Sequence, residues 1–165
     1  MQSMQRRLTR SGVWLALVLT GAVLSSSGAG RAAGHPDFTG NWQADLKTSD
    51  FGPMGAPDRA AMNVTHKDPQ LTIHSELSMG DASRTWDATC TTDGKECKST
   101  NGEVTLSLQW QGDSLALNRA QSFAGMNVKI KETWTLSADG KTLTSARSLE
   151  TDQGSATQKI VFTKP

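Results

Sequence analysis

The chain has 165 residues, 36% of them apolar, with 17 Lys and Arg against 16 Asp and Glu and a formal net charge of +1. Beyond the amino terminus the charges are dispersed, which leaves no basic patch for nucleic acid or for anionic membranes. Gly-rich nucleotide loops, Gly-x-Ser-x-Gly elbows and metal-ligand spacings do not occur in the sequence, so the chain is expected to have no cofactor, no metal and no catalytic residue.

The first segment reads as an export signal. Arg6, Arg7 and Arg10 form a positive region, Val13 to Leu24 is apolar except for Thr20 and Gly21, and small residues follow from Ser25 to Gly30. That order is the signal-peptide pattern, and the run is shorter than the ~20 apolar residues a membrane-spanning helix needs. No Cys follows the run, which argues against a lipoprotein anchor. Thr9 replaces the hydrophobic residue expected after a twin-arginine pair, which favours the general secretory route. Cleavage fits after Ala29 or after Ala32, each with a small residue two places upstream. Residues 1–32 are therefore expected to be a signal peptide and residues 33–165 a single periplasmic or extracellular domain. Its removal takes away Arg6, Arg7, Arg10 and Arg31 and no acid, leaving a net charge of about −3. No later segment is long and apolar enough to be a transmembrane helix.

The remaining sequence alternates apolar with polar residues, the half-buried strand pattern. Ten strands are expected, at about 40–47, 60–67, 70–78, 83–91, 95–100, 103–110, 114–123, 126–136, 141–151 and 156–164. Turn dipeptides punctuate them: Asp68-Pro69, Gly80-Asp81, Asp93-Gly94, Asn101-Gly102, Gly112-Asp113, Ala124-Gly125, Asp139-Gly140 and Gly154-Ser155. Between the first two strands, Thr48 to Arg59 carries Gly52, Pro53, Gly55 and Pro57, which makes it a loop or lid rather than a helix. The later connections are hairpin-short, so sequence neighbours are expected to pair antiparallel. The expected fold class is all-β, one antiparallel meander closed into a barrel, because closure removes the two exposed edges.

Alternation also assigns a face. It carries Trp42, Ala44 and Leu46, then Met62, Val64 and His66, Leu71, Ile73 and Leu77, Trp86, Ala88 and Cys90. It continues through Val104, Leu106, Leu108, Trp110, Leu115, Leu117, Val128, Ile130, Trp134, Leu136, Leu143, Leu149, Ile160 and Phe162. Pairing outward from Asp93-Gly94 sets Cys90 opposite Cys97, within disulfide reach. In an oxidising compartment an even cysteine count favours that disulfide. The Cys-x6-Cys spacing without a nearby His fits neither zinc nor a redox pair. Of the histidines, His35 lies on the amino-terminal tail, His66 ends a strand on the inner face and His74 lies on an outer face; none pairs at metal-ligand spacing.

Three charges interrupt the apolar face. Turn arithmetic sets Arg119 opposite Ile130, Leu117 opposite Glu132 and Glu132 opposite Arg147, so Arg119 is a diagonal neighbour of Glu132. Two arginines against one carboxylate leave a positive surplus, able to hold a ligand carboxylate. The alternative is a closed structural network. Trp86, Trp110 and Trp134 wall either a pocket or a plain core. The candidate ligand residues are thus Arg119, Arg147, Glu132, Trp110 and Trp134. Glu132 is the only acid on the inner face, which removes a paired-carboxylate mechanism.

Asp37-Phe38-Thr39-Gly40-Asn41-Trp42, at the head of the first strand, resembles the Gly-x-Trp opening of the calycins, the lipocalins and fatty-acid-binding proteins. The ten-strand meander is similar to the fatty-acid-binding branch. The resemblance implies a barrel opening on Gly40 and Trp42, with a late-strand arginine stacked on Trp42, and a small amphiphile inside. The chain departs from that branch in two ways. Thr48 to Arg59 cannot supply its helix-turn-helix lid, and the branch's ligand-binding arginines sit on strands that do not match Arg119 and Arg147 in order. Ser49-Asp50-Phe51-Gly52-Pro53 and the late Asp-Gly-Lys turn also resemble small exported bacterial proteins, a likeness that brings no activity with it. Two readings follow: an exported binder of a small, mostly apolar ligand that can carry a carboxylate, or a protein-interaction or inhibitor module with a solid interior. Interior volume separates them.

Overall fold

The computed structural model describes residues 34–123 and 125–165; the expected signal peptide and its cleavage site lie outside the described residues. Ten antiparallel strands follow in order: β1 (Gly40–Ala44), β2 (Arg59–Lys67), β3 (Gln70–Met79), β4 (Ala82–Thr91), β5 (Asp93–Lys98), β6 (Val104–Gln111), β7 (Ser114–Phe123), β8 (Met126–Leu136), β9 (Thr142–Thr151) and β10 (Gly154–Thr163). One short 3-10 turn, Gly52–Met54, interrupts the loop between β1 and β2. Among the described residues no helix is long and apolar enough to cross a membrane.

The alternation places Val64, Leu71, Ile73, Leu106, Leu108, Leu115, Leu143, Ile160 and Phe162 in the core, as expected of strands with one wet face. The hairpin registers match the turn arithmetic: Arg119 opposes Ile130, Leu117 opposes Glu132, and Glu132 opposes Arg147. Tight turns rely on glycine where the backbone takes a left-handed conformation, as at Gly112 (φ 62°) and Gly140 (φ 68°). The β1 strand stops at Ala44, short of the expected 47, because the Asp45 carboxylate accepts the Lys47 and Thr48 N–H groups and turns the chain. Leu46 is consequently exposed, and Leu77, near the end of β3, is too.

Barrel closure differs from the simple expectation. The meander's first and last strands pair with each other, Gln43 opposite Thr163 and Ala44 opposite Phe162. The sheet instead begins at β4 and ends at β5. The expected 83–91/95–100 hairpin ladder does not form; one isolated bridge, Ala88 to Ser99, joins these strands. The cause lies at Thr92, which is buried. Its N–H donates to the Pro69 carbonyl and its hydroxyl to Asp68, drawing the chain under the β2–β3 turn. Cys90 and Cys97 nevertheless keep the expected register and are joined in a disulfide, Cα atoms 5.6 Å apart.

One end of the barrel is filled. Phe38 is fully buried and packs beside Trp110 and Trp134. The Phe38 N–H donates to His66 Nδ1, and the buried Trp42 indole donates to the Phe38 carbonyl at 2.9 Å. His35 stacks flat on Trp110, centroids 4.1 Å apart, so the amino-terminal segment covers this base. The cation over Trp42 is not an arginine: Lys164 Nζ lies 4.6 Å from the ring. Arg119 lies over Trp86 instead, 5.6 Å from its centroid.

Candidate ligand-binding site

Above this packed base the barrel is hollow. A cavity of about 740 Å³ runs from Trp134, Phe162 and Met62 up to the loop between β1 and β2. The solid interior of the second reading is therefore not what this fold holds. Val128, Ile130 and Leu149 line the cavity wall as a buried group separate from the main core. Two large hydrophobics, Met54 and Leu77, line its upper part while half-exposed to solvent.

Glu132, Arg119 and Arg147 meet low in this cavity, carried by β8, β7 and β9. Glu132 is 5% exposed. Its Oε1 is saturated: the Trp134 indole donates at 2.5 Å, the Ser145 hydroxyl at 2.6 Å and Arg147 Nη2 at 3.1 Å. Arg147 Nε also donates to the Ser145 hydroxyl at 2.9 Å. Arg119 is held differently. Its Nη2 lies 3.9 Å from Glu132 Oε2, and its buried Nε has no hydrogen-bond partner among the described residues. Burying a guanidinium donor without an acceptor is costly, so Arg119, a residue of the cavity lining, carries an unmet donor.

The electrostatics agree with the geometry. Burial pushes the Arg119 guanidinium down to about 10, with Glu132 opposing that fall and Arg147 and Arg84 adding to it. The fall is chiefly the cost of keeping a charged guanidinium away from water. Burial alone would raise the Glu132 carboxyl, but Arg147 and Arg119, with bonds from Ser145 and Trp134, outweigh it and hold it at about 2. Glu132 is thus ionised at every ordinary pH, and the cluster carries one net positive charge.

The candidate tryptophans separate. Trp134 lies at the floor of the cavity as Glu132's donor. Trp110 sits at the base, outside the cavity lining, where its indole donates to Asp68 at 2.9 Å. Trp86, expected to wall a pocket or a core, lines the cavity beneath Arg119. Two lining residues that the pattern did not single out are Arg84, on the β4 wall, and Gln158, which donates to the Phe51 carbonyl at 2.9 Å. Gln158 was legible as Arg147's register partner on β10. Its tie to the loop was not, because that loop has no periodicity.

No protein-family model and no curated protein sequence matches this chain. Among solved structures it is similar to zebrafish ileal bile acid-binding protein complexed with cholic acid, with 16% identity and a TM-score of 0.54 over 78% of this chain and 98% of that one. Human cRBP IV aligns with 14% identity and a TM-score of 0.47 over 79% of this chain and 99% of that one. A variant of the fluorescent protein UnaG aligns with 14% identity and a TM-score of 0.44 over 78% and 96%. The fold is calycin-like, a ten-stranded antiparallel barrel.

Proposed function

We propose that this calycin-like barrel is an exported binding protein for a small anionic amphiphile, held with its acidic group down. The observation that carries this reading is Arg119, a buried guanidinium with an unpartnered Nε and one long ion pair, at the bottom of an otherwise apolar cavity. An incoming carboxylate would accept from the Arg119 guanidinium and neutralise the surplus charge, an interaction Arg can make in a bidentate fork. Arg147 is committed to Glu132 and Ser145, so it supports the cluster rather than receiving the ligand. The apolar walls and the half-exposed Met54 and Leu77 would then take the ligand's hydrocarbon body.

The volume bounds the ligand. At roughly 30 Å³ per water-sized atom group, the cavity holds on the order of 25 non-hydrogen atoms. That size admits a long-chain or polycyclic acid and falls within the range of small-molecule sites. Glu132 is held as an anion by its partners, and binding without chemistry is the proposed role. The zebrafish neighbour, whose complex contains cholic acid, is consistent with this class of ligand.

The test is equilibrium titration with a dansyl-labelled undecanoic acid and with cholate, read by ligand fluorescence and by calorimetry. Saturable one-to-one binding of at least one acid, lost on methyl esterification, supports the proposal. Wild-type protein that binds neither acid at any soluble concentration overturns it.

A further inference from the structure

The cavity is bounded at its upper end by the loop between β1 and β2, and that loop is fastened at both ends. On one side, Asp50 and Lys159 exchange backbone hydrogen bonds, both at 2.8 Å, and the Val161 N–H donates to the Ser49 hydroxyl at 2.9 Å. The Phe51 side chain is buried beneath. On the other side, the Asp58 N–H donates to the Ser78 carbonyl at 2.9 Å, and the Gly80 N–H donates to the Asp58 carboxylate at 2.6 Å. Opening this lid breaks several backbone bonds together.

The side wall is built differently. The strands β4 and β5 are the sheet's two ends. They are tied only over their lower part, by Cys90–Cys97, by the Ala88–Ser99 bridge and by the Thr100 N–H on the Asp87 carbonyl at 2.7 Å. Above Asp87, residues 82–86 of β4 pair with no strand on that edge among the described residues. The β5 strand has ended at Lys98, and across the gap lie Glu103 and the Ser122 carbonyl at the end of β7. Among the described residues no backbone hydrogen bond crosses this upper seam. A side chain does: Arg84 Nη2 reaches the Ser122 carbonyl at 3.1 Å and lies 3.7 Å from Glu103. Ala82, Ser83, Arg84 and Trp86 on one lip and Gln121 on the other all line the cavity, so parting these lips opens it to the side.

We propose that the ligand enters and leaves through this side seam between β4 and the end of β7, with Arg84 as its gate. The inference rests on the binding function proposed above. Arg84 lets go of its partners, Ser122 and Glu103 among them, meets the arriving acid, and latches again once the acid has passed inward to Arg119. Arg119 stands over Trp86, two residues along β4 from Arg84, and both arginines line the cavity, so an acid entering at Arg84 meets Arg119 next. The disulfide lies at the closed end of the same seam and limits how far the lips separate. The upper seam can open without the loss of any strand pairing, which is why it, and not the fastened lid, is the cheaper route.

The experiment is stopped-flow displacement of the dansyl-labelled undecanoic acid from the full chain. Arg84→Gln should raise the dissociation rate about five- to tenfold, the effect on a barrier of losing one charge-assisted hydrogen bond. Glu103→Gln loosens the same latch from the opposite lip, outside the cavity lining, and should raise it about twofold to threefold. Ser49→Ala combined with Asp58→Ala loosens the lid and should leave the rate within about twofold of wild type. Acceleration by the lid variant with no change in either seam variant overturns the proposed route while leaving the binding function standing. A wild-type protein with no saturable binding at equilibrium fails earlier and removes both.

Discussion

Glu132 and Arg147 face each other across β8 and β9 with 3.1 Å between Oε1 and Nη2, while Arg119 reaches only the other carboxylate oxygen, at 3.9 Å. The two arginines therefore differ in what their loss leaves behind. Arg147→Gln strips a buried carboxylate of its main partner and is expected to destabilise the protein by about 3–5 kcal/mol. Arg119→Gln removes a guanidinium whose Nε is already unpartnered, so stability should change by less than about 1 kcal/mol while acid binding weakens by about 1.5–3 kcal/mol. Urea denaturation and ligand titration on both variants make the comparison. Equal destabilisation by the two would reduce the cluster to architecture.

Glu132 should shape the acid limb of the stability curve. Its folded value, about 2, lies below the ordinary carboxyl value of about 4.3. A depressed folded value means the stabilisation is complete above the unfolded value and is lost as pH falls from about 5 toward about 2. The loss attributable to this group is on the order of 3 kcal/mol. Glu132→Gln should be less stable at pH 7 and should show a flatter decline over that window. Denaturant midpoints at half-unit pH steps check it; a variant whose acid decline parallels wild type would place the lost stability in other carboxylates.

The cluster was legible in the sequence because period-two alternation and short turns leave little freedom in register. Counting outward from Ala138–Lys141 is enough to bring Glu132 to Arg147. The seam was not legible. Its cause is Thr92, whose hydroxyl and N–H are claimed by Asp68 and Pro69, residues more than twenty positions away. A turn dipeptide such as Asp93-Gly94 reports local chemistry and is silent about such a long-range pull. The hollow interior was illegible for a related reason. Alternation says which side chains point inward, not how far apart opposite walls stand. The same limit explains Trp110, an inward residue that falls within the packed base rather than the cavity.

Trp42 is 1% exposed, hydrogen-bonded through its indole and covered by Lys164. Trp42→Ala should cost about 3–5 kcal/mol, the range for large aromatic truncations. Gly40 has a related reason to be glycine: a Cβ there would stand 2.6 Å from Lys164 Cε. The obstacle is the far part of a flexible side chain, but the backbone at Gly40 (φ 156°) is one that side-chain-bearing residues rarely adopt, so Gly40→Ala should displace Lys164 and cost about 2 kcal/mol, a cation–π contact plus backbone strain. Lys164→Met in the Gly40→Ala background tests the coupling by a double-mutant cycle. Additive effects would show that the two residues act independently.

Cys90 and Cys97 join the sheet's two ends where a strand ladder is missing, so their bond does more than close a short loop. The chain between them spans a separation of 7 residues, for which loop-closure entropy alone gives about 2 kcal/mol. Reduction or Cys90→Ser with Cys97→Ser should lower stability by at least that amount. It should also free the lower seam, where the Ala88–Ser99 bridge and the Thr100 bond are the remaining ties. Hydrogen exchange separates the two effects. Global destabilisation speeds exchange of the slowest core amides equally in all strands, whereas seam opening speeds the Thr100 amide selectively. That amide donates to the Asp87 carbonyl across the seam in the oxidised protein. Faster Thr100 exchange, with the β8–β9 core amides following only the global change, is the expected result. Free-thiol counting on denatured protein purified without reductant gives the prior check: two reactive thiols there would mean that the seam is normally unstitched. Unchanged Thr100 exchange on reduction would mean that the bridge holds the seam without the disulfide.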